Sequence, residues 1–253
     1  MAVGDLSRIY LAKTFEAALG TAATLDASFL MRATGGPEHT DELDDNVNGY
    51  PIGNTFSRTA RATSFGLAGP LNSRIAAVLM KYLFMLVPTN SGAGDPFTHT
   101  WTDGFGTTAN VTTQSFTMLL QIAKAASYIH RFAGLILPSL TITARGAGKV
   151  EFSADVKGIG AVVATTEPSV TLPTEGYYIG RKTTMTVGGT DVSKQLREVS
   201  VTLASGMAVL DRAGSTDATG TSVDRAERVK ITGSYTVDEG VAGVSAVGSN
   251  GGF

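Results

Sequence analysis

A mainly β protein, a β-sandwich or partial barrel with one packed α-helix, is the fold class this sequence predicts, and three observations carry it. Apolar and polar residues alternate with a period of two in several separate segments, the mark of strands with one buried face. Thirty glycines, with abundant Thr, Ser and Val, favour strands and turns over helices. Only one segment carries apolar residues at helical spacing. At 253 residues, 43% hydrophobic and 17% charged, the chain holds enough apolar material for a core and reads as a single domain over 1–253.

The helical segment comes first. In GPLNSRIAAVLMKYLFML the apolar residues Leu71, Ile75, Val78, Leu79, Tyr82, Leu83 and Leu86 form a stripe over about residues 71–87. Asn72 or Ser73 supplies the cap and Pro88 the stop. Burying that stripe on a sheet stabilises by about 1.5–3 kcal/mol per large side chain. Phe116, Met118, Leu120 and Ile122 then share a strand face, and Lys124–Ser127 reads as a turn into a strand over Tyr128–Phe132. Leu140 and Ile142 precede RGAG, Arg145–Gly148, a turn into KVEFSADVKG. There Val150, Phe152, Ala154 and Val156 fall on one side, and Lys149, Glu151, Ser153, Asp155 and Lys157 on the other. Val199, Val201 and Leu203 make another face, and Val229, Ile231, Tyr235 and Val237 the last.

Two pairs of these strands rhyme. SLTIT followed by KVEFSADV resembles VSVTL followed by RVKITGSY, which suggests two similar hairpins facing each other in a sandwich or barrel. Between the strands lie long polar stretches that read as loops. One covers about 35–54 and is acidic, with Asp41, Glu42, Asp44 and Asp45. Others cover about 88–96 and about 212–224, the latter with Arg212, Ser215, Asp217 and Asp224. The tail from about 240 to 253 is glycine-rich and reads as flexible.

Chemistry is harder to find. A net charge of -2 gives no basic field for holding nucleic acid, and zero cysteines exclude disulfides, thiolate metal sites and cysteine catalysis. His39, His99 and His130 are far apart in sequence and form no zinc motif, so structural or surface roles are expected. The acidic run lacks the order of a calcium loop. GFGTTA, Gly104–Ala109, leads into turn and strand rather than a helix, and no G-x-S-x-G occurs. The expectation is a protein that is not an enzyme and takes no cofactor or metal. Trp101, Tyr177 and Tyr178 are the aromatic residues a carbohydrate-binding platform could use. The N-terminus has no basic start before an apolar run, so no signal peptide is expected. Asn72, Ser73, Arg74 and Lys81 interrupt the most apolar stretch, so no membrane span is expected either.

In order along the chain, KTFEAALGTAATL, GLAGPLNSRIAAVLMKYLFML, RFAGLILPSLTITARGAGKVEFSADVKGIG, EVSVTLASGMAVL and ERVKITGSYTVDE resemble the major tail tube proteins of long-tailed bacteriophages. The likeness runs from about Lys13 to Glu239 and is weakest over 35–54 and 212–224. It implies a tail-tube-like fold and subunits that self-assemble into stacked hexameric rings. Double-stranded DNA passes through their lumen without specific binding. Partners implied are further copies, a tape-measure protein and tail completion proteins, with the protein made in the host cytoplasm and located in the virion tail. Surface segments rather than a catalytic site would then matter, chiefly Asp41–Asp45, 212–224 and the chain ends. Two alternatives stand beside this reading. One is an inner-tube, capsid or baseplate component of a contractile device, and the other is a monomeric carbohydrate-binding β-sandwich.

Overall fold

The computed structural model describes residues 7–44, 55–86, 89–91, 98–101, 114–121, 129–163, 168–171, 176–210, 222–225, 227–238 and 250–252. In chain order the elements are β1 (Ser7–Leu11), β2 (Ala27–Asp44), β3 (Thr55–Pro70), α1 (Ser73–Phe84), β4 (Thr89–Ser91) and β5 (Thr98–Thr100). Then come β6 (Phe116–Gln121), β7 (Ile129–Arg145), β8 (Glu151–Val163), a 3-10 turn at Gly180–Lys182, β9 (Thr186–Val187) and β10 (Thr190–Asp191). The set ends with β11 (Leu196–Ala204), β12 (Met207–Leu210), β13 (Ser222–Arg225), β14 (Lys230–Val237) and β15 (Asn250–Gly252).

The alternating segments join one antiparallel sheet whose strand order is β15-β14-β11-β7-β6-β1-β2-β3-β8, and β8 pairs back onto β7. Six strands, β7-β6-β1-β2-β3-β8, therefore close into a barrel. The protein is mainly β with one packed helix, and its barrel is closed rather than partial. β7 makes the branch. Its first half pairs with β6 and its second half, Ser139–Arg145, with β11, while β8 runs along the other edge of both halves. The wall β11-β14-β15 thus extends from the barrel without a break. The two rhyming strand pairs prove to be β7/β8 and β11/β14, neighbours in one sheet rather than hairpins facing across a core. Complementary ladder edges, with β11 bonding directly to β7, place them side by side.

The core is filled from the inner face of this sheet. Ile9, Phe29, Met31, Phe65, Leu67, Met118, Phe132, Leu135, Phe152 and Val156 are all buried together with the helix residues Ile75, Leu79, Tyr82 and Leu83. Phe65 and Phe132 meet edge to face with centroids 4.7 Å apart, and Tyr82 stacks on Phe116 at 4.0 Å and 11°. Asn72 caps α1, its Oδ1 accepting from the Ile75 N–H at 2.8 Å. The helix ends at Phe84, earlier than the expected 87. Met85 turns left-handed (φ 54°) while its side chain stays buried; Pro88, the expected stop, lies outside the described residues. Leu71 is buried ahead of the helix, and Val78 and Leu86 are half-buried.

A single buried carboxylate ties the segment after β1 to the barrel. Glu16 accepts from Ser115 Oγ and Thr117 Oγ1, both at 2.6 Å, from the Gly20 N–H at 2.9 Å and from the Gly134 N–H at 3.0 Å. Gly134 sits at an irregularity in β7, with φ 70°, where a Cβ would lie 2.4 Å from Ile159 Cγ1. The glycine lets the strand bulge, and the bulge aims its N–H at Glu16. Beside it, Lys81 donates to the Lys13 carbonyl and lies over the Phe15 ring. Burial pulls the Lys81 ammonium below its ordinary pKa, with Asp26 opposing the shift.

Several expected loops are ordered strand. The stretch 35–44 continues β2 and pairs with β3 from Thr55 onward, because strand pairing outweighs its polar, turn-rich composition. Within 88–96, Thr89–Ser91 pairs with Thr98–Thr100. In the tail, Asn250–Gly252 adds a short edge strand to Ser234–Thr236 of β14. Ile231 differs in the other direction: placed on a buried face by alternation, it is 56% exposed. On β14 a second layer, from Val192 with Met185 and Val187, reaches only Tyr235 and Val237. Ile122, the turn Lys124–Ser127 and Tyr128 lie outside the described residues.

Candidate assembly surfaces

Alternation sorts the sheet into an apolar inner face and a polar outer one, and pairing keeps that parity from strand to strand. One outer row reads Arg32, Ala68, Ser153, Thr141, Thr202 and Thr232, crossing β2, β3, β8, β7, β11 and β14. The next reads Thr34, Gly66, Asp155, Ser139, Ala204 and Lys230. On the other side of the first, Pro70, Glu151, Thr143, Ser200 and Ser234 form a third.

Hydroxyls in these rows bond to one another. Thr141 Oγ1 and Thr202 Oγ1 are 2.8 Å apart, Thr143 Oγ1 and Ser200 Oγ 3.2 Å, and Ser139 Oγ donates to Asp155 Oδ2 at 2.7 Å. One arginine of the face is paired with two of its carboxylates. Arg145 Nε lies 3.3 Å from Glu198 Oε2, and another guanidinium nitrogen 3.8 Å from Glu151 Oε2. Such exposed pairs add roughly 0–1 kcal/mol each, so their main effect here is to balance charge. The face holds a shallow cleft of about 430 Å³, lined by Arg32, Pro70, Thr143, Arg145, Glu151 and Ser153. No large apolar side chain stands in the rows; Leu30, 38% exposed, lies two residues before Arg32.

This polar wall has two edges that no described strand occupies. β1 pairs with β2 only over Ala27–Met31, leaving that edge of β2 unpaired from Arg32 onward. β15 pairs with β14 only over Ser234–Thr236, leaving the outer edge of Lys230–Gly233 unpaired. Beyond Thr63, where β8 stops pairing, β2 and β3 run on as a two-stranded ribbon, Glu38–Asp44 against Thr55–Ala62. Its seven-residue β2 arm spans about 23 Å at roughly 3.3 Å per residue.

The residues expected to mediate assembly fall into two groups. Asp41, Glu42 and Asp44 lie on that ribbon, opposite Arg58, Ser57 and Thr55, so the acidic loop is a strand. Asp45 lies outside the described residues. Asp224 is half-buried on β13, opposite Ala208 of β12, and so belongs to a hairpin rather than a loop. Arg212, Ser215 and Asp217 lie outside the described residues. Among the aromatics, Trp101 packs with Phe84 and His99. Tyr177 and Tyr178 line a separate shallow cleft of about 330 Å³ with Val150, Ile179, Lys182 and Thr183, and Lys149 Nζ stands 4.4 Å from the Tyr177 ring centre. Tyr178 is half exposed, yet its backbone is fixed by bonds to Leu71 and Val150. Among the described residues no three His, Asp or Glu side chains gather as a metal-holding group, and no helix is long and apolar enough to cross a membrane.

Sequence reasoning passed over Glu16, because one glutamate among small residues carries no periodic signal; its role depends on β6 and β7, about a hundred residues away. The open edges were equally hidden, since pairing partners are a property of the sheet. No protein-family model matches the chain, and no curated protein is significantly similar to it.

Proposed function

We propose that this protein is the structural subunit of a bacteriophage tail tube, self-assembling into stacked rings through whose bore DNA passes. The observation that carries the reading is the ribbon Glu38–Asp44/Thr55–Ala62, which has no further strand beside it among the described residues. An isolated two-stranded ribbon is marginally stable in water, so an arm of this length implies a second surface to lie on. A further copy of the chain supplies one in a stacked assembly, where head-to-tail contacts close into rings. The charge-balanced outer face suits the role, since net basic contacts to phosphate would hold passing DNA.

Electron microscopy of the concentrated protein tests the proposal. Rings or tubes are expected, and a variant with Glu38–Ala62 replaced by a tight turn should fold as a cooperative monomer but not stack. Wild-type protein that stays monomeric at every salt and protein concentration would overturn the reading. The Tyr177–Tyr178 cleft favours a second reading, a monomeric carbohydrate-binding module. Glycan-array binding by strictly monomeric protein would select it.

A further inference from the structure

Two of the four exposed large apolar side chains among the described residues, Tyr178 and Ile179, are neighbours in one short segment. With Val150, Tyr177, Lys182 and Thr183 they line the shallow cleft of about 330 Å³. Backbone bonds hold its walls on both sides. The Tyr178 N–H donates to the Leu71 carbonyl and the Val150 N–H to the Tyr178 carbonyl, both at 2.9 Å. Gly180 lies so close to Arg145 that a Cβ there would stand 1.8 Å from the Arg145 carbonyl oxygen, and its N–H donates to the Gly148 carbonyl at 2.9 Å. The 3-10 turn then closes, the Lys182 N–H donating to the Ile179 carbonyl at 3.0 Å and the Thr183 N–H to the Gly180 carbonyl at 2.9 Å. An exposed ring on a backbone fixed in this way loses little freedom when a ligand arrives.

Charge around the cleft has one sign. Lys182 lines it, Lys149 Nζ stands 4.4 Å from the Tyr177 ring centre, and Arg181 is exposed beside Lys182 in the turn. None of the three has an ion-pair partner among the described residues, whereas Arg145 is paired to Glu198 and Glu151, and Arg197 to Asp238. Lys149 covers one face of Tyr177, which leaves the more exposed Tyr178 as the ring open to a ligand. A fixed aromatic ring, an aliphatic side chain next to it, a threonine hydroxyl and unpaired ammonium groups complement a compact anion that has a C–H face and several hydroxyls. A sugar bearing a carboxylate has all of these. A neutral sugar would leave the ammonium groups unused. Nucleic acid fits less well, since one open ring on a chain of net charge -2 provides neither a stacking track nor a basic groove.

We propose that this cleft binds an acidic sugar residue, a uronic or sialic acid, in a polysaccharide. The C–H face of the sugar packs on Tyr178 and its carboxylate meets Lys182 and Lys149. This inference rests on the carbohydrate reading of the cleft and adds the charge; it holds for ring or monomer alike, because every contact comes from one chain.

A glycan array carrying uronic and sialic acids beside their neutral counterparts tests it, followed by calorimetry with trigalacturonic acid against galactotriose and sialyllactose against lactose. The acidic member of at least one pair should bind about tenfold tighter or more, the worth of one charge-assisted contact, and should weaken as salt rises. Lys182→Gln and Tyr178→Ala should each weaken binding roughly tenfold. Lys230→Gln removes an exposed charge on β14 and should change nothing. Both lysines are exposed, so their substitution leaves folding intact, and thermal melting checks Tyr178→Ala. Equal binding of acidic and neutral members, or full binding by Lys182→Gln, overturns the acidic assignment while the cleft stands as a carbohydrate site. Full binding by folded Tyr178→Ala overturns the location. A single-stranded DNA oligonucleotide that binds tighter than every acidic glycan overturns the ligand class. Binding to no glycan overturns the inference and the carbohydrate reading together, and leaves the tail-tube reading untouched.

Discussion

Removing the Glu16 carboxylate should be among the most damaging single changes that leave the apolar core intact. The side chain is 6% exposed, and it is the acceptor for Ser115 and Thr117, both fully buried, for the Gly134 N–H at the β7 bulge and for the Gly20 N–H. A carboxylate accepts at both oxygens and donates at neither, which suits four converging donors. In Glu16→Ala those donors lose their partner together. A buried donor left unsatisfied costs about 1–3 kcal/mol. Gly20 is only half-buried and can turn to water, and a water entering the gap would partly serve the others, so the low end applies to three groups. The expected loss is about 3–5 kcal/mol, or a fall in melting temperature of about 10 °C for a chain of this size. Glu16→Gln keeps the shape and one acceptor oxygen but points an amide donor at another donor, so about half that loss is expected. Urea unfolding of the monomer, with the slope compared between variants, measures both. A Glu16→Ala loss below about 1 kcal/mol would refute the reasoning, because the donors must then be satisfied without the carboxylate.

Tyr82 gives the opposite sign: its buried hydroxyl has no hydrogen-bond partner among the described residues, so Tyr82→Phe should be neutral or stabilise by up to about 1 kcal/mol, and a clear loss in the same urea assay would show a missed partner. Burial, helped by the negative charges of Asp26 and Glu16, pushes the Tyr82 phenol well above its ordinary value of 10.0. The folded protein keeps this proton where the unfolded chain releases it, so wild-type stability should fall as pH rises above 10, by about 1.4 kcal/mol per unit. Tyr82→Phe should lack that component, and parallel pH curves for the two proteins would count against it. Gly134→Ala forces a methyl to within 2.4 Å of Ile159 in a left-handed backbone and should destabilise by about 2–3 kcal/mol. Adding Ile159→Ala, which removes both the Cγ1 and the Cδ1 that this methyl would meet, should recover part of this in a double-mutant cycle, and strict additivity would rule out the clash. Asn72→Ala removes the cap of α1 and should cost about 1–2 kcal/mol by thermal melting; no change would mean the buried Ile75 N–H finds another acceptor.

Alternation by itself determined the sides of β8 and of the residue that leads into it. Val150, Phe152, Ala154 and Val156 go in, and Glu151, Ser153, Asp155 and Lys157 go out, because a period of two admits no other division once one face is buried. The helix stripe and its Asn72 cap were equally local and equally legible, although the end of the helix was not: Met85 leaves the helix for a place in the core that depends on Ile136, Met207 and Val223. The run Asp41–Asp44 shows the limit on the other side. Its composition says loop, while its pairing with β3 makes it strand, and pairing depends on a partner that local sequence does not name. The same holds for Glu16, whose donors come from β7 and the start of β6, and for Ile231, whose pattern is that of a buried residue but whose strand lies beyond the second layer. Sequence thus determined which residues could share a face, since that follows from backbone geometry within a few residues. Only the tertiary structure decided which faces were covered and which edges were left open. Those outcomes depend on contacts between residues tens to hundreds of positions apart.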